Sequence, residues 1–157
     1  MNSNNHITVD QIKNDAEVIK KELVEWRHYL HAHPELSFKE ERTTHYIVNK
    51  LKNFGYTDIQ IGFGPLKTGV MVEIGSGRPC VMLRADIDAL PIQEQTGVEF
   101  CSQSKGVSHA CGHDAHITNL LGVANLLKKY ENSIKGRVKL LFQPAEETRV
   151  KIYEKPL

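Results

Sequence analysis

Three short polar stretches bring together residue types that bind cations or move protons. The first, His109-Ala110-Cys111-Gly112-His113-Asp114-Ala115-His116, sets a thiol and an imidazole two positions apart across a glycine. Both groups are ligands for zinc and other transition metals, and the glycine allows a tight backbone between them. The second, Gln143-Pro144-Ala145-Glu146-Glu147, offers adjacent carboxylates that point opposite ways in extended backbone. One can then bind a metal while the other acts as a general base. The third, Arg84-Ala85-Asp86-Ile87-Asp88-Ala89-Leu90-Pro91, places Asp86 and Asp88 two apart, so an extended segment projects both to the same side.

Each stretch alone has a plain structural reading. Asp86 and Asp88 can cap turns or pair with Arg84. Asp114 suits a helix start through capping and the macrodipole. His116 fits the surface of a first helical turn, and Glu146-Glu147 can be a solvated charge pair. A cysteine nucleophile at Cys111 is disfavoured, because residues two apart in one loop rarely align sulfur with a ring nitrogen. Together the stretches say more. A thiolate, an imidazole and a carboxylate make a ligand set for a hydrolytic metal, with a spare Glu beside it. Such a metal lowers the pKa of its water toward roughly 7 and polarises a carbonyl, while the Glu carries the proton.

Helices and strands must carry these stretches to one place. Ile12, Ala16, Ile19, Leu23, Trp26 and Leu30 form one stripe of a long helix with a Thr8–Gln11 capping box, closed by Pro34. A second helix is signalled by a Ser37–Glu40 capping pair, by Thr44, Ile47, Val48, Leu51 and Phe54, and by a stop at Gly55. Tyr56–Ile61 is a weaker strand, and Gly62-Phe63-Gly64-Pro65 reads as loop. Val70, Val72 and Ile74 alternate as a strand, and Gly75-Ser76-Gly77 predicts a hairpin into Cys80–Leu83, a more buried strand. Residues 92–110 lack a period. A third helix is expected over about 114–130, and a last strand through Val138, Leu140 and Phe142, ended by Pro144. The order α-α-β-β-β-α-β predicts an α/β fold, a mixed β-sheet flanked by helices. All three polar stretches fall at strand ends or helix starts, where such folds bind ligands.

Composition excludes several classes. At 157 residues, 40% hydrophobic and 25% charged, the chain has enough apolar content for a core. A net charge of +1 without like-charge blocks argues against nucleic-acid binding. No apolar run approaches the roughly 18–20 residues of a membrane span, and the first ten residues lack a secretory pattern. Three cysteines, Cys80, Cys101 and Cys111, do not make a disulfide framework. A cytoplasmic location is expected.

The chain resembles the aminoacylase/carboxypeptidase-like metallo-amidohydrolases, in the branch of N-acyl-amino-acid, hippurate and N-acetyldiaminopimelate hydrolases. The matching stretches are Arg27-His28-Tyr29-Leu30-His31-Ala32-His33-Pro34-Glu35-Leu36-Ser37-Phe38, Arg84 to Pro91, His109 to His116, and Phe142 to Glu147. The resemblance covers roughly residues 15–147. It implies that Cys111, His113 and Glu147 are metal ligands and that Glu146 is the general base and acid. It puts Asp88 behind the metal, orienting a ligand. Divalent zinc, manganese, cobalt or nickel is implied, two ions per complete site, with a small N-acyl amino acid as substrate. The His33-Pro34-Glu35 segment is structural in the family, and His28, His31 and His45 read most simply as helix-surface or packing residues.

After Glu147 the sequence departs from the family, and no histidine follows His116. Residues 1–147 are therefore expected to be the N-terminal part of an incomplete catalytic, metal-binding domain. Residues 148–157 are expected to be an atypical tail, with the lid and dimerisation domain absent. Loss of later ligands and strands predicts a truncated, poorly active chain prone to associate. A non-catalytic remnant with a weak metal site is the alternative, and a thiol sensor at Cys111 a distant third.

Overall fold

The computed structural model describes residues 7–63 and 66–148; Gly64, Pro65 and most of the expected 148–157 tail lie outside them. Helix α1 (Val9–Val18) starts at the Thr8–Gln11 capping box, and α2 (Lys20–Ala32) follows directly. The single long helix of the sequence reading is thus two helices, divided at Ile19, where ψ flattens to 0°. Helix α1 buries no residue and leaves Ile12 43% exposed, so half of the predicted stripe finds no core. Its attachments are polar: Asp15 meets Lys129 Nζ at 2.7 Å and accepts the Tyr130 hydroxyl. Trp26 and Leu30 of α2 are buried.

Helix α3 (Glu41–Phe54) ends at Gly55, whose φ of 99° only glycine adopts readily. Its start differs from expectation. Glu40 makes no helix-cap bond, and the Ser37 hydroxyl points to Asp88 instead. The first turn is held by Glu35, whose carboxylate accepts from the Thr43 N–H at 2.8 Å, the Thr43 hydroxyl at 2.9 Å and the Arg42 N–H at 3.2 Å.

The sheet runs β1 (Ile59–Phe63), β2 (Leu66–Ser76), β4 (Gly136–Gln143), β3 (Cys80–Asp86) from edge to edge. The predicted β2–β3 hairpin does not form, because β4 lies between them, antiparallel to β2 and parallel to β3. The hairpin is β1–β2, with β1 running on through Gly62 and Phe63. Parallel strands need a crossover, and α4 (His113–Lys129) provides it. Strand β4 can sit centrally because Leu140 and Phe142 are fully buried. A glycine at 136 permits the insertion: with φ at 96°, a Cβ there would lie 2.4 Å from the Pro79 carbonyl oxygen.

One sheet face carries Val70, Val72, Ile74, Leu140 and Phe142 into a core with Trp26, Leu30, Ile47, Leu51, Ile117 and Leu121 of the helices. The other face is polar at Glu73, which pairs with Lys139 at 2.6 Å. Strand β3 is not the more buried strand its apolar run predicts. It is an edge among the described residues, with Val81 51% and Met82 53% exposed. Among those residues no helix is long and apolar enough to cross a membrane.

Candidate metal centre

The parallel β3–β4 pair determines where the three polar stretches meet. Asp86 and Gln143 are register partners at the strand ends, and the Ile87 N–H extends the ladder to the Gln143 carbonyl at 3.0 Å. Asp88 and Glu146-Glu147 therefore leave neighbouring strands on the same edge. Helix α4 begins there too, after Gly112 at φ 83°. Ends of adjacent parallel strands and the start of their crossover helix form the usual crevice of α/β folds.

In that crevice Cys111, His113 and Glu147 each offer a ligand atom, all within 4.8 Å of one another. His113 is buried, and its Nδ1 lies 2.8 Å from the Asp88 carbonyl oxygen and 3.4 Å from Asp88 Oδ1. These acceptors assign the proton to Nδ1, which leaves the Nε2 lone pair free for a cation. Nε2 stands 3.7 Å from Glu147 Oε1 and 4.0 Å from Glu146 Oε2. Tetrahedral zinc spaces its ligand atoms about 3.4 Å apart, so modest contraction closes the set. Glu147 Oε1 and Asp88 Oδ1 are buried without a hydrogen-bond partner. A cation fits there: it satisfies an oxygen otherwise left unpaired at a cost of about 1–3 kcal/mol.

The charges around the site also suit a cation. The Cys111 thiol is pushed above its usual pKa first by the Glu147 carboxylate beside it, then by burial and by the charges of Glu146 and Asp86. His113 is raised by its bond to Asp88, against the opposing effect of burial. Burial alone would raise Asp88, but the His113 ring 3.4 Å from Oδ1 and the bonds from the Ser37 hydroxyl and the Glu147 N–H hold it well below the usual carboxylate range. Burial pushes neighbouring His109 down to about 4, so this ring adds no positive charge at neutral pH.

The two glutamates do not diverge as extended backbone requires. The strand stops at Gln143, Ala145 turns to φ 55°, and both carboxylates approach His113 Nε2. Asp86 follows the plain reading in part: it pairs with Arg84 at 2.9 Å, yet also lies 3.7 Å from His116 Nδ1. Asp86, His113 and His116 form a second possible ligand group, which the sequence reading missed. Helical spacing of three between the histidines was the available signal.

Asp114 is not a helix cap. Its Oδ2 accepts from Arg27 Nε at 3.2 Å and His31 Nδ1 at 2.8 Å, while His31 Nε2 meets Glu94 Oε1 at 3.0 Å. His31 is thus the half-buried centre of an ion-pair network, more than the surface or packing residue expected; His28 does pack, stacked on Phe100, and His45 is exposed. Burial disfavours the charged ring of His31, but its bonds to Glu94 and Asp114 outweigh that and raise the pKa. Burial would raise Glu94, but bonds from the Thr96 hydroxyl, the Ser102 N–H and His31 bring it to about 2. The His31 contribution to stability is present below its ordinary 6.5 and lost as pH rises through the raised value. The Glu94 contribution is present above its ordinary 4.5 and lost as pH falls toward 2. His31→Ala should lower unfolding free energy by about 3 kcal/mol near pH 6. That deficit should narrow at alkaline pH, as urea melts at both pH values would show.

The model of Peptidase family M20/M25/M40 matches residues 82–151, which hold the three polar stretches. An N-acyl-L-amino acid amidohydrolase of Geobacillus stearothermophilus is 43% identical over 143 residues, 90% of this chain and 38% of that one. These matches agree with the metallo-amidohydrolase resemblance read from the sequence. An N-acetyl-L-cysteine deacetylase of Bacillus subtilis is 52% identical over 131 residues, 82% of this chain and 31% of its own. A Bacillus subtilis crystal structure described as a dinuclear metal-binding peptidase of family M20 superposes with a TM-score of 0.74 at 47% identity. It is covered to 37%, and covers 83% of this chain. The chain spans about a third of the length of the curated relatives it matches. The mixed sheet flanked by helices is shared with that Bacillus subtilis structure.

Proposed function

We propose that the chain supplies the metal-binding part of a hydrolase that cleaves the amide bond of small N-acyl amino acids. The observation that carries this reading is the convergence of Cys111, His113 and Glu147 within 4.8 Å, with Glu146 Oε2 4.0 Å from the same imidazole nitrogen. The amidohydrolase and deacetylase relatives support the substrate class. A divalent cation held by these three residues would acidify a water and polarise the substrate carbonyl. Glu146, 38% exposed, can take a proton at Oε2 and return it to the departing nitrogen. Asp88 keeps His113 oriented from behind. The donor set suits zinc, manganese, cobalt or nickel, and its thiolate leans toward the later metals.

In this reading residues 1–147 are the first part of the catalytic domain and residues 148–157 a separate tail. Three free, exposed cysteines fit a reducing compartment, the cytoplasm. One observation favours a second, non-catalytic reading: both possible ligand groups among the described residues use His113. One imidazole nitrogen serves one cation, so these residues offer a single site at a time. Metal analysis after dialysis against zinc distinguishes the readings. One tightly held ion per chain is expected; two would mark a complete dinuclear centre, and none would end the metal reading.

A further inference from the structure

We propose that Glu40 is a positioning residue for this metal centre: its buried carboxyl group holds the loop that carries Glu146 and Glu147. The proposal rests on the metal-ligand reading above. Glu40 is fully buried just before α3, and both of its carboxyl oxygens accept hydrogen bonds. Oε2 takes the Thr68 hydroxyl of β2 at 2.8 Å, and Oε1 takes the Ala145 N–H at 2.8 Å. Two residues on, the Glu147 N–H donates to Asp88 Oδ2 at 2.9 Å. The loop is therefore pinned at alternate amides by two buried acids that arrive from distant parts of the chain, and Glu146 lies between the pins.

The loop needs such a hold. Ala145 sits at φ 55°, in the left-handed region that alanine seldom adopts. Pro144, which donates no backbone hydrogen bond, packs so tightly on β2 that a Cβ at Gly69 would lie 2.6 Å from its Cδ. Without an acceptor for the Ala145 N–H, the turn that aims both glutamates at His113 loses one of its two pins, the one at the strained residue itself. Ser37 completes the arrangement, since its hydroxyl donates to the same Asp88 Oδ2 at 2.7 Å. The Ser37–Glu40 spacing that imitates a helix cap thus serves the metal centre.

The two bonds of Glu40 can be separated. Glutamine keeps both: its oxygen accepts from Ala145, and its amide nitrogen donates to the Thr68 oxygen. Leucine keeps the bulk and accepts neither. Thr68→Val removes only the bond to β2. Amide hydrogen exchange on the metal-free protein reads the loop directly, and cobalt titration, followed by thiolate-to-cobalt absorption, reads the centre. Glu40→Leu should speed exchange at Ala145 and Glu147 about tenfold or more and weaken cobalt binding about tenfold, the usual loss for a residue supporting ligands from behind. Glu40→Gln should restore both readouts toward wild type. Thr68→Val should lower thermal stability and leave both unchanged. If Glu40→Leu does not fold, Glu40→Asp, whose shorter stem retracts from Ala145, should show the same two changes.

Wild-type exchange at residues 145–147 in a folded Glu40→Leu or Glu40→Asp protein would overturn the proposal. So would cobalt weakened by Thr68→Val as much as by Glu40→Leu. Wild-type protein that takes cobalt without a thiolate band ends the ligand reading instead, and the exchange comparison then decides the role of Glu40 by itself.

Discussion

His113→Ala should abolish tight divalent-metal binding by this chain. Both ligand groups among the described residues pass through this imidazole, so its removal leaves neither with three donors. The ring is also the best-fixed ligand: it is buried, with Nδ1 held by the Asp88 carbonyl at 2.8 Å. A residue supporting ligands from behind is worth about 10–100-fold in affinity, and a ligand itself should exceed that range. Calorimetry with cobalt or zinc should show a loss of at least about a hundredfold relative to wild type. Cys111→Ser gives a useful contrast, because it should erase the thiolate-to-cobalt absorption while weakened binding persists through His113 and Glu147. Cobalt bound by His113→Ala with wild-type affinity would mean that the cation lies elsewhere.

The convergence of Cys111, His113 and Glu147 was legible once three polar stretches were read together at strand ends and a helix start. Cys111 and His113, two apart across a glycine, are a weak signal alone, and Glu146-Glu147 is what makes them read as a possible metal site. Elements with a strong period were legible by themselves: β2, β4 and α4 alternate or repeat over enough residues to specify a buried face. Pairing was not. Val70–Ile74 and Cys80–Leu83 look like a hairpin because a glycine turn separates them, yet β4 inserts between them with Leu140 and Phe142 fully buried. That choice compares energies of segments some sixty residues apart, which no local window contains.

The α2–α3 loop shows the same limit at atomic scale. Ser37 and Glu40 have the spacing of a capping box, and nothing nearby in the sequence announces Asp88 or the Ala145 N–H as better partners. The helix start they were expected to serve is taken by Glu35, whose carboxylate reaches two backbone amides of the first turn. His31 was misread for the converse reason. Its partners, Glu94 and Asp114, are distant in sequence, and one of them lies in the aperiodic stretch 92–110.

Glu146→Gln should separate metal binding from hydrolysis. Glu146 Oε2 stands 4.0 Å from His113 Nε2, slightly farther than the 3.7 Å of Glu147 Oε1, and its side chain is 38% exposed against 21%. The more buried oxygen, left without a hydrogen-bond partner, is the better cation ligand. The more exposed carboxylate can meet a water or a substrate nitrogen. Glutamine preserves size and polarity but cannot accept a proton at neutral pH, so only proton transfer is removed. General bases contribute about 10²–10⁴-fold, so under the proposed function any hydrolysis of N-acetyl amino acids by the metal-loaded protein should fall at least about a hundredfold. Cobalt affinity should change by less than about twofold, because no ligand has been lost. Glu147→Gln should reverse the pattern, weakening cobalt first and hydrolysis as a consequence. If Glu146→Gln instead weakens cobalt as much as Glu147→Gln does, the two glutamates share the cation, and the proton must be carried by another group.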